Sequence, residues 1–181
     1  MKHLLLFFYL LSLCFSLSLT SIECRAEGHS PSSHHSLLDT VDSLQVSLIT
    51  CGPGAEAYTL FGHTAIRFFD KLSGNDFVAN YGIFSFDEPN FALRFIMGKP
   101  DYRLELMPFS YFIKEYQDDQ RLVVEQRLNL NSDEKLQLMQ ALNVNLQPEN
   151  KVYRYNIFTA NCTTKAFDII RQSLVRKAST P

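Results

Sequence analysis

Stretches of alternating apolar and polar residues recur along the chain, and this period of two is typical of β-strands with one buried face. Two of them flank Lys71–Asp76, whose Ser, Gly, Asn and Asp residues favour a turn, so these segments together predict a β-hairpin. The glycines and proline of Cys51–Gly54 end the first strand. The predicted strands are Gln45–Thr50, His63–Phe69, Phe77–Gly82, Tyr102–Met107, Arg121–Leu128 and Val152–Asn156.

Helical spacing of apolar residues predicts several helices between these strands. Ala55–Phe61 predicts one or two helical turns, and Pro108–Gln117 predicts a helix with core aromatics. Pro89–Met97 starts with proline and is followed by Gly98, a pair typical of a short helix.

Two longer helices are predicted from capping residues and apolar faces. Asn131 and Glu134 form a capping-box pattern, and Asn161 is the expected N-cap of the last helix. The predicted inward faces are Leu136, Met139, Leu142 and Leu146 in the first, and Ala166, Phe167, Ile170 and Leu174 in the second. The pattern as a whole predicts an α+β fold, an antiparallel sheet with helices packed on it.

The N-terminal region predicts export. Residues 1–26 combine Lys2 with a long apolar run and end in small residues at the cleavage positions, which is typical of a signal peptide cut after Ala26; a retained membrane anchor is the alternative. Residues 27–43 are rich in Ser and His and predict a flexible linker. The body is then expected at 44–176 and a tail at 177–181. His29, His34 and His35 cluster in the linker, where solvated histidines are more common than a metal site.

Composition narrows the classes of function. The 181 residues are 46% hydrophobic, and 15 Phe and 8 Tyr supply enough apolar volume for one domain with its own core. The net charge of −2 does not favour a nucleic-acid partner. The sequence contains no phosphate-binding glycine loop, paired metal-ligand spacing or repeat, so we expect no cofactor and no metal.

Two cysteines remain after removal of the leader, Cys51 and Cys162, and outside the cytoplasm a disulfide between them is the plain structural interpretation. Cys162, however, directly follows the predicted N-cap Asn161. The positive end of a helix and its unpaired amides favour the thiolate and can receive an oxyanion, so Cys162 is the candidate nucleophile.

His63 is the one histidine of the predicted body, and it follows Gly62 at the start of a strand. It is therefore the candidate base for Cys162. A third residue should orient its ring. Asn80 and Tyr81 face opposite sides of the neighbouring strand, so only one can point at the imidazole; we favour Asn80, and Asp87 is a further candidate.

Three segments resemble a known family when they occur in this order: CGPGAEAYTLFGHTAIRF at Cys51–Phe68, NYGIFSFDEPNFALRFIMGKPDYRL at Asn80–Leu104, and YRYNIFTANCTTKAFDII at Tyr153–Ile170. The family is the N-terminal periplasmic domain of the bacterial lipoprotein N-acyltransferase Lnb. This domain in turn is similar to the circularly permuted branch of the papain and NlpC/P60 superfamily, in which, as in lecithin:retinol acyltransferase, a strand histidine precedes a cysteine that opens a helix.

The resemblance implies an acyltransferase at the periplasmic membrane surface. Cys162 would accept an acyl chain from a phospholipid as a thioester, His63 would activate it, and the N-terminal amine of a lipoprotein would receive the chain. Family members continue into a membrane-embedded region and this chain stops at Pro181, so full activity is expected to require that region. Exposed aromatics such as Phe91 and Phe95 are expected to meet acyl chains.

Two other functions are compatible with the same residues. A cysteine hydrolase that cuts cell-wall amides would use the same cysteine and histidine. A non-catalytic periplasmic domain would instead join Cys51 and Cys162 in a disulfide.

Overall fold

The computed structural model describes residues 41–87 and 89–175. The predicted signal peptide, the predicted linker up to residue 40 with its histidines, and the predicted tail lie outside these residues. The last linker residues contact the body, where Lys135 Nζ donates to the carbonyls of Val41 and Asp42 at 3.3 and 3.2 Å.

Six strands form one sheet in which every neighbouring pair is antiparallel, in the order β5-β1-β2-β3-β4-β6. The strands are β1 (Leu44–Cys51), β2 (His63–Asp70), β3 (Asp76–Ile83), β4 (Asp101–Pro108), β5 (Val123–Arg127) and β6 (Val152–Arg154). Each predicted strand is present with small differences at its ends. The predicted hairpin is also confirmed, because β2 and β3 pair across the turn.

Helices lie between and after these strands: α1 (Phe91–Ile96), α2 (Phe109–Asp118), α3 (Ser132–Asn145) and α4 (Cys162–Val175). The predicted capping box at α3 is confirmed, since Asn131 Oδ1 accepts from Glu134 N–H and Glu134 accepts from Asn131 N–H. Helix α1 starts later than predicted, because Asn90 before it adopts a left-handed φ of 58°. In place of the helical turns predicted for Ala55–Phe61, residues 55 and 56 form a bend and residues 57–61 form turns.

The helices cover both faces of the sheet. On one face, α3 and α4 bury Leu138, Leu142, Ala166 and Ile169 against Phe68 and its apolar neighbours in the strands. On the other face, α2 packs Phe112 and Tyr116 against Ile49, Cys51, Ala65 and Val78. The predicted α+β fold with helices on an antiparallel sheet is confirmed.

The inward faces of the last two long helices differ in part from the prediction. In α4, Ile169 is 1% exposed, whereas Phe167 is 62% and Leu174 is 44% exposed. In α3, Leu138 is fully buried and Leu136 is 44% exposed. The buried stripe is the one that lies against the sheet, and residue size alone did not identify it.

Candidate functional site

The site begins at the first residue of α4, where the sequence places Cys162. Asn161 Oδ1 accepts from the N–H of Thr164 at 2.9 Å, and Thr164 Oγ1 accepts from the N–H of Asn161 at 2.8 Å. This reciprocal cap confirms Asn161 as the predicted helix start. The N–H groups of Cys162 and Thr163 lie in the first turn, where no intrahelical acceptor is available, so they can donate to a bound anion.

His63 and Asn80 lie beside each other on the sheet face that α2 covers. His63 starts β2 opposite Cys51, and its ring centroid is 6.2 Å from that of Phe112. Asn80 Oδ1 is 2.9 Å from His63 Nε2. The structure therefore brings together the histidine and the residue that the sequence favoured to orient it.

A backbone amide determines which imidazole nitrogen carries the proton. Asn80 Oδ1 also accepts from the N–H of Gly82 at 2.8 Å. A backbone N–H can only donate, so the side-chain atom facing it must be the amide oxygen. The same oxygen then requires a proton on His63 Nε2. In the neutral imidazole, Nδ1 is left with a lone pair, as a base requires.

Gly82 makes this arrangement possible because it has no side chain. A Cβ atom there would lie 2.5 Å from His63 Cε1 and 3.1 Å from His63 Nδ1. The glycine thus lets the imidazole lie close to the backbone of β3. Sequence reasoning did not single out Gly82, although it forms part of the NYG motif.

The Cys162 thiol and the His63 imidazole line the same cleft, and the pKa of the thiol responds to the imidazole. Burial by itself raises the pKa of Cys162, but the hydrogen bond and charge of His63, the N–H of Thr64 and the side chain of Thr163 outweigh it and lower the pKa to about 7. A substantial fraction of thiolate is therefore present at neutral pH. A 2.9 Å hydrogen bond between the Thr64 and Thr163 hydroxyls joins β2 to the start of α4.

Both described cysteines are free thiols, so the disulfide of the non-catalytic alternative is absent from the structure. Cys51 is buried under α2, where burial raises the pKa of its thiol to about 11, although a hydrogen bond with Tyr116 opposes the shift. The two thiols thus have opposite chemistry. Cys51 packs in the core under α2, whereas the lowered pKa of Cys162 suits a nucleophile.

The other candidates for the third residue point elsewhere. Tyr81 is buried on the opposite face, and its hydroxyl accepts from Asn145 Nδ2 at 2.9 Å. Asp87 lies in an exposed turn, with its N–H donating to Ser85 Oγ at 3.2 Å. Strand alternation, the basis of the choice between Asn80 and Tyr81, gave the correct partner.

The thiol and imidazole lie in a cleft of about 520 Å³ with many aromatic lining residues. Tyr58, Phe84, Tyr102 and Tyr155 form a continuous chain of rings, with centroid separations of 5.4, 5.0 and 4.5 Å. The expectation for Phe91 is wrong, because this residue is 2% exposed and stacks behind Phe84 at 5.3 Å. Packing, which the sequence pattern does not show, decided which rings face the cleft.

The comparisons with known proteins agree with the resemblance seen in the sequence. Residues 36–180 match the family model described as the Lnb N-terminal periplasmic domain, which covers most of the chain. No curated protein and no solved structure gives a significant match. Within the described residues, no helix has the length and apolar character needed to cross a membrane. On this match the chain belongs to the family of the Lnb N-terminal periplasmic domain, a periplasmic domain related to lipoprotein processing.

Proposed function

We propose that this domain is a cysteine acyltransferase that carries an acyl chain on Cys162 and passes it to an amine. The observation that supports this most directly is that the Cys162 thiol and the His63 imidazole line one cleft, with His63 Nε2 2.9 Å from Asn80 Oδ1. Aromatic residues form part of the wall of this cleft. A nucleophile, a base and a residue that orients the base are the groups that acyl transfer requires.

In the first step, the Cys162 thiolate attacks the carbonyl carbon of an ester. A C–S bond forms, and the oxyanion is stabilised by the amides at the start of α4. The C–O bond then breaks, and the departing alkoxide takes the proton that His63 accepted from the thiol. The products are an acyl-cysteine thioester and a free alcohol, which is a lysophospholipid when the donor is a phospholipid.

In the second step, the α-amino group of a lipoprotein attacks the thioester. A C–N bond forms, the C–S bond breaks, and His63 accepts the proton that the amine loses. The products are an amide and the regenerated thiol–imidazole pair. The histidine thus acts on both the leaving alcohol and the entering amine, as general acid–base catalysis allows.

The cleft and its rim favour a lipid donor over a cell-wall peptide. Phe61 and Phe86 line the cleft and are 78% and 67% exposed, and Phe158 follows the cleft residue Ile157 and is 84% exposed. Three exposed phenylalanines from three separate loops suit the surface of a bilayer. The faces of the rings in the wall give an acyl chain an apolar surface to pack against, which supports a lipid donor.

Mass spectrometry after incubation with diacyl phospholipid vesicles tests the proposal. We expect an acyl adduct on Cys162 that hydroxylamine removes, no adduct in Cys162→Ala, and an undiminished adduct in the matched control Cys51→Ala. Absence of the adduct in the unaltered protein, or its persistence in Cys162→Ala, would refute the proposal. Release of peptide fragments from purified cell wall would indicate the hydrolase instead.

A further inference from the structure

The catalytic cleft has a second, charged end that the two-step reaction does not use. Arg121 and Glu115 line the cleft together with Tyr116. The aromatic chain from Tyr58 to Tyr155 forms another part of the wall, and Cys162 lines the same cleft. A substrate bound along this cleft would therefore meet both an apolar region and a guanidinium group.

The Arg121 side chain is held rigidly although it carries a full charge. It is 4% exposed, it lies over the Tyr116 ring at 4.5 Å, and its Nε and Nη2 both donate to the carbonyl of Gly52 at 3.1 and 2.9 Å. These contacts orient the planar group before any ligand binds. A preorganised guanidinium loses less conformational entropy on binding an anion than a free surface arginine.

The positive charge of the Arg121 guanidinium is only weakly balanced by protein carboxylates. Among residues 41–87 and 89–175, the one carboxylate recorded within 4.0 Å is that of Asp119, with Oδ2 4.0 Å from Nη1, which is beyond hydrogen-bonding distance. Asp119 is 57% exposed, and Glu115 is also exposed, so water screens both carboxylates. The single carbonyl of Gly52 leaves N–H donors of the guanidinium for a ligand.

We propose that Arg121 binds the phosphodiester of a phospholipid donor and so sets the direction in which the lipid enters the cleft. The inference rests on the proposed acyl transfer and adds the residue that binds the donor's phosphate: the phospholipid head lies on Arg121, the ester at Cys162 and the acyl chain along the rings. In a glycerophospholipid the phosphate and the acyl esters are joined by one glycerol unit. Guanidinium and phosphate match in charge and in hydrogen-bonding geometry.

Two donors that differ in the phosphate test this assignment. Acylation of Cys162 is followed by mass spectrometry with phosphatidylglycerol and with diacylglycerol of the same chains, each in detergent micelles over a range of concentrations. In the unaltered protein we expect phosphatidylglycerol to reach half-maximal rate at a concentration about 10- to 100-fold lower than diacylglycerol, the range for a charged hydrogen bond. Arg121→Gln should remove this preference, so that both donors reach half-maximal rate at similar concentrations.

Arg127→Gln is the matched control, since it removes an exposed arginine on β5. It should keep the donor preference. Arg121→Lys keeps the positive charge but lacks the planar guanidinium, so it should retain part of the preference for phosphatidylglycerol. This variant replaces Arg121→Gln in the test if Arg121→Gln does not fold. Equal rates with both donors in the unaltered protein, or an equal fall with both donors in Arg121→Gln, would overturn the inference.

Binding of glycerol 3-phosphate separates failure of this inference from failure of the proposed function. We expect it to raise the thermal unfolding midpoint of the unaltered protein and of Arg127→Gln, but not that of Arg121→Gln. If no donor acylates Cys162, the acyltransferase proposal fails, and this shift still reports the anion site. If acylation occurs and no Arg121-dependent shift or donor preference is found, only the assignment of Arg121 is wrong.

Discussion

Gly82→Ala should uncouple the thiol from its base with little change elsewhere. The added Cβ would lie 2.5 Å from His63 Cε1, whereas two carbon atoms in favourable contact are about 3.5–4.0 Å apart. The imidazole must therefore move by about 1 Å, toward the open cleft. Such a shift weakens the hydrogen bond of His63 with Asn80 and the effect of the imidazole on the Cys162 thiol.

The expected change in the pKa of Cys162 follows from the groups that shift this pKa in the folded protein. His63 supplies the two largest influences that lower the pKa of Cys162, and burial opposes them. Without them the pKa should return from about 7 to its ordinary value of 9.0 or higher. The thiolate fraction at pH 7 would then fall from about one half to about one in a hundred. A misplacement of about 1 Å is also sufficient to reduce acyl transfer about 100-fold.

Alkylation by iodoacetamide across pH 5–10 measures the effect, with the modified cysteine identified by mass spectrometry. The pH midpoint for Cys162 should rise from about 7 to 9 or above in Gly82→Ala. Gly52→Ala is the control, because a Cβ atom at this position would lie 3.4 Å from Leu122 Cβ, which is an ordinary contact. In Gly52→Ala, the pH midpoint for Cys162 alkylation should stay near that of the unaltered protein. A folded Gly82→Ala protein with an unchanged midpoint would refute the reasoning.

Four further predictions concern the site and the core. Asn80→Ala removes the acceptor that orients the imidazole, so the rate of adduct formation should fall at least about tenfold with the fold retained; an unchanged rate would exclude a positioning role. The pKa of Cys162 is lower in the folded state than in the unfolded chain, so the free energy of unfolding should rise by up to about 2 kcal/mol from pH 7 to 9 in urea titrations. This gain should be lost as pH falls through 7 and be absent from Cys162→Ala. Because burial raises the pKa of Cys51 to about 11, iodoacetamide at pH 8 should label Cys162 in the folded protein and label Cys51 only after denaturation, with the sites identified by mass spectrometry; labelling of Cys51 in the folded state would contradict its assignment as a packing residue. Ile169→Ala, at a position 1% exposed, should cost about 2–5 kcal/mol of unfolding free energy, whereas Phe167→Ala, at a position 62% exposed on the same helix, should cost under about 0.5 kcal/mol; equal costs would contradict the observed face of α4.

Local structure was predictable wherever neighbours in the sequence determine it. The turn Lys71–Asp76, the capping box of Asn131 and Glu134, and the cap at Asn161 all involve residues within a few positions of one another. Such contacts depend on backbone geometry that a short segment carries by itself. The start of α1 was misplaced for a related reason, since the left-handed φ of Asn90 is not evident from the residue type alone.

Faces of helices were less predictable because a face is buried only relative to a partner. In α4 the sequence offers Phe167 and Leu174 as large apolar residues, but the sheet contacts Ile169 and Ala166. Likewise, Phe91 was expected to be exposed, yet it is enclosed by the rings around Phe84. These outcomes depend on how elements pack, which residue hydrophobicity does not specify.

For the site, the sequence by itself determined the candidate groups and their local settings: a cysteine at a helix start, one histidine in the predicted body, and an asparagine on the strand face that meets this histidine. The tertiary structure alone decided that the thiol meets the imidazole, that Gly82 leaves room for the ring, and that Arg121 lines the same cleft. The physical reason is that these contacts join segments far apart along the chain. Their proximity arises from strand pairing and helix packing across the whole sheet, and no local pattern encodes it.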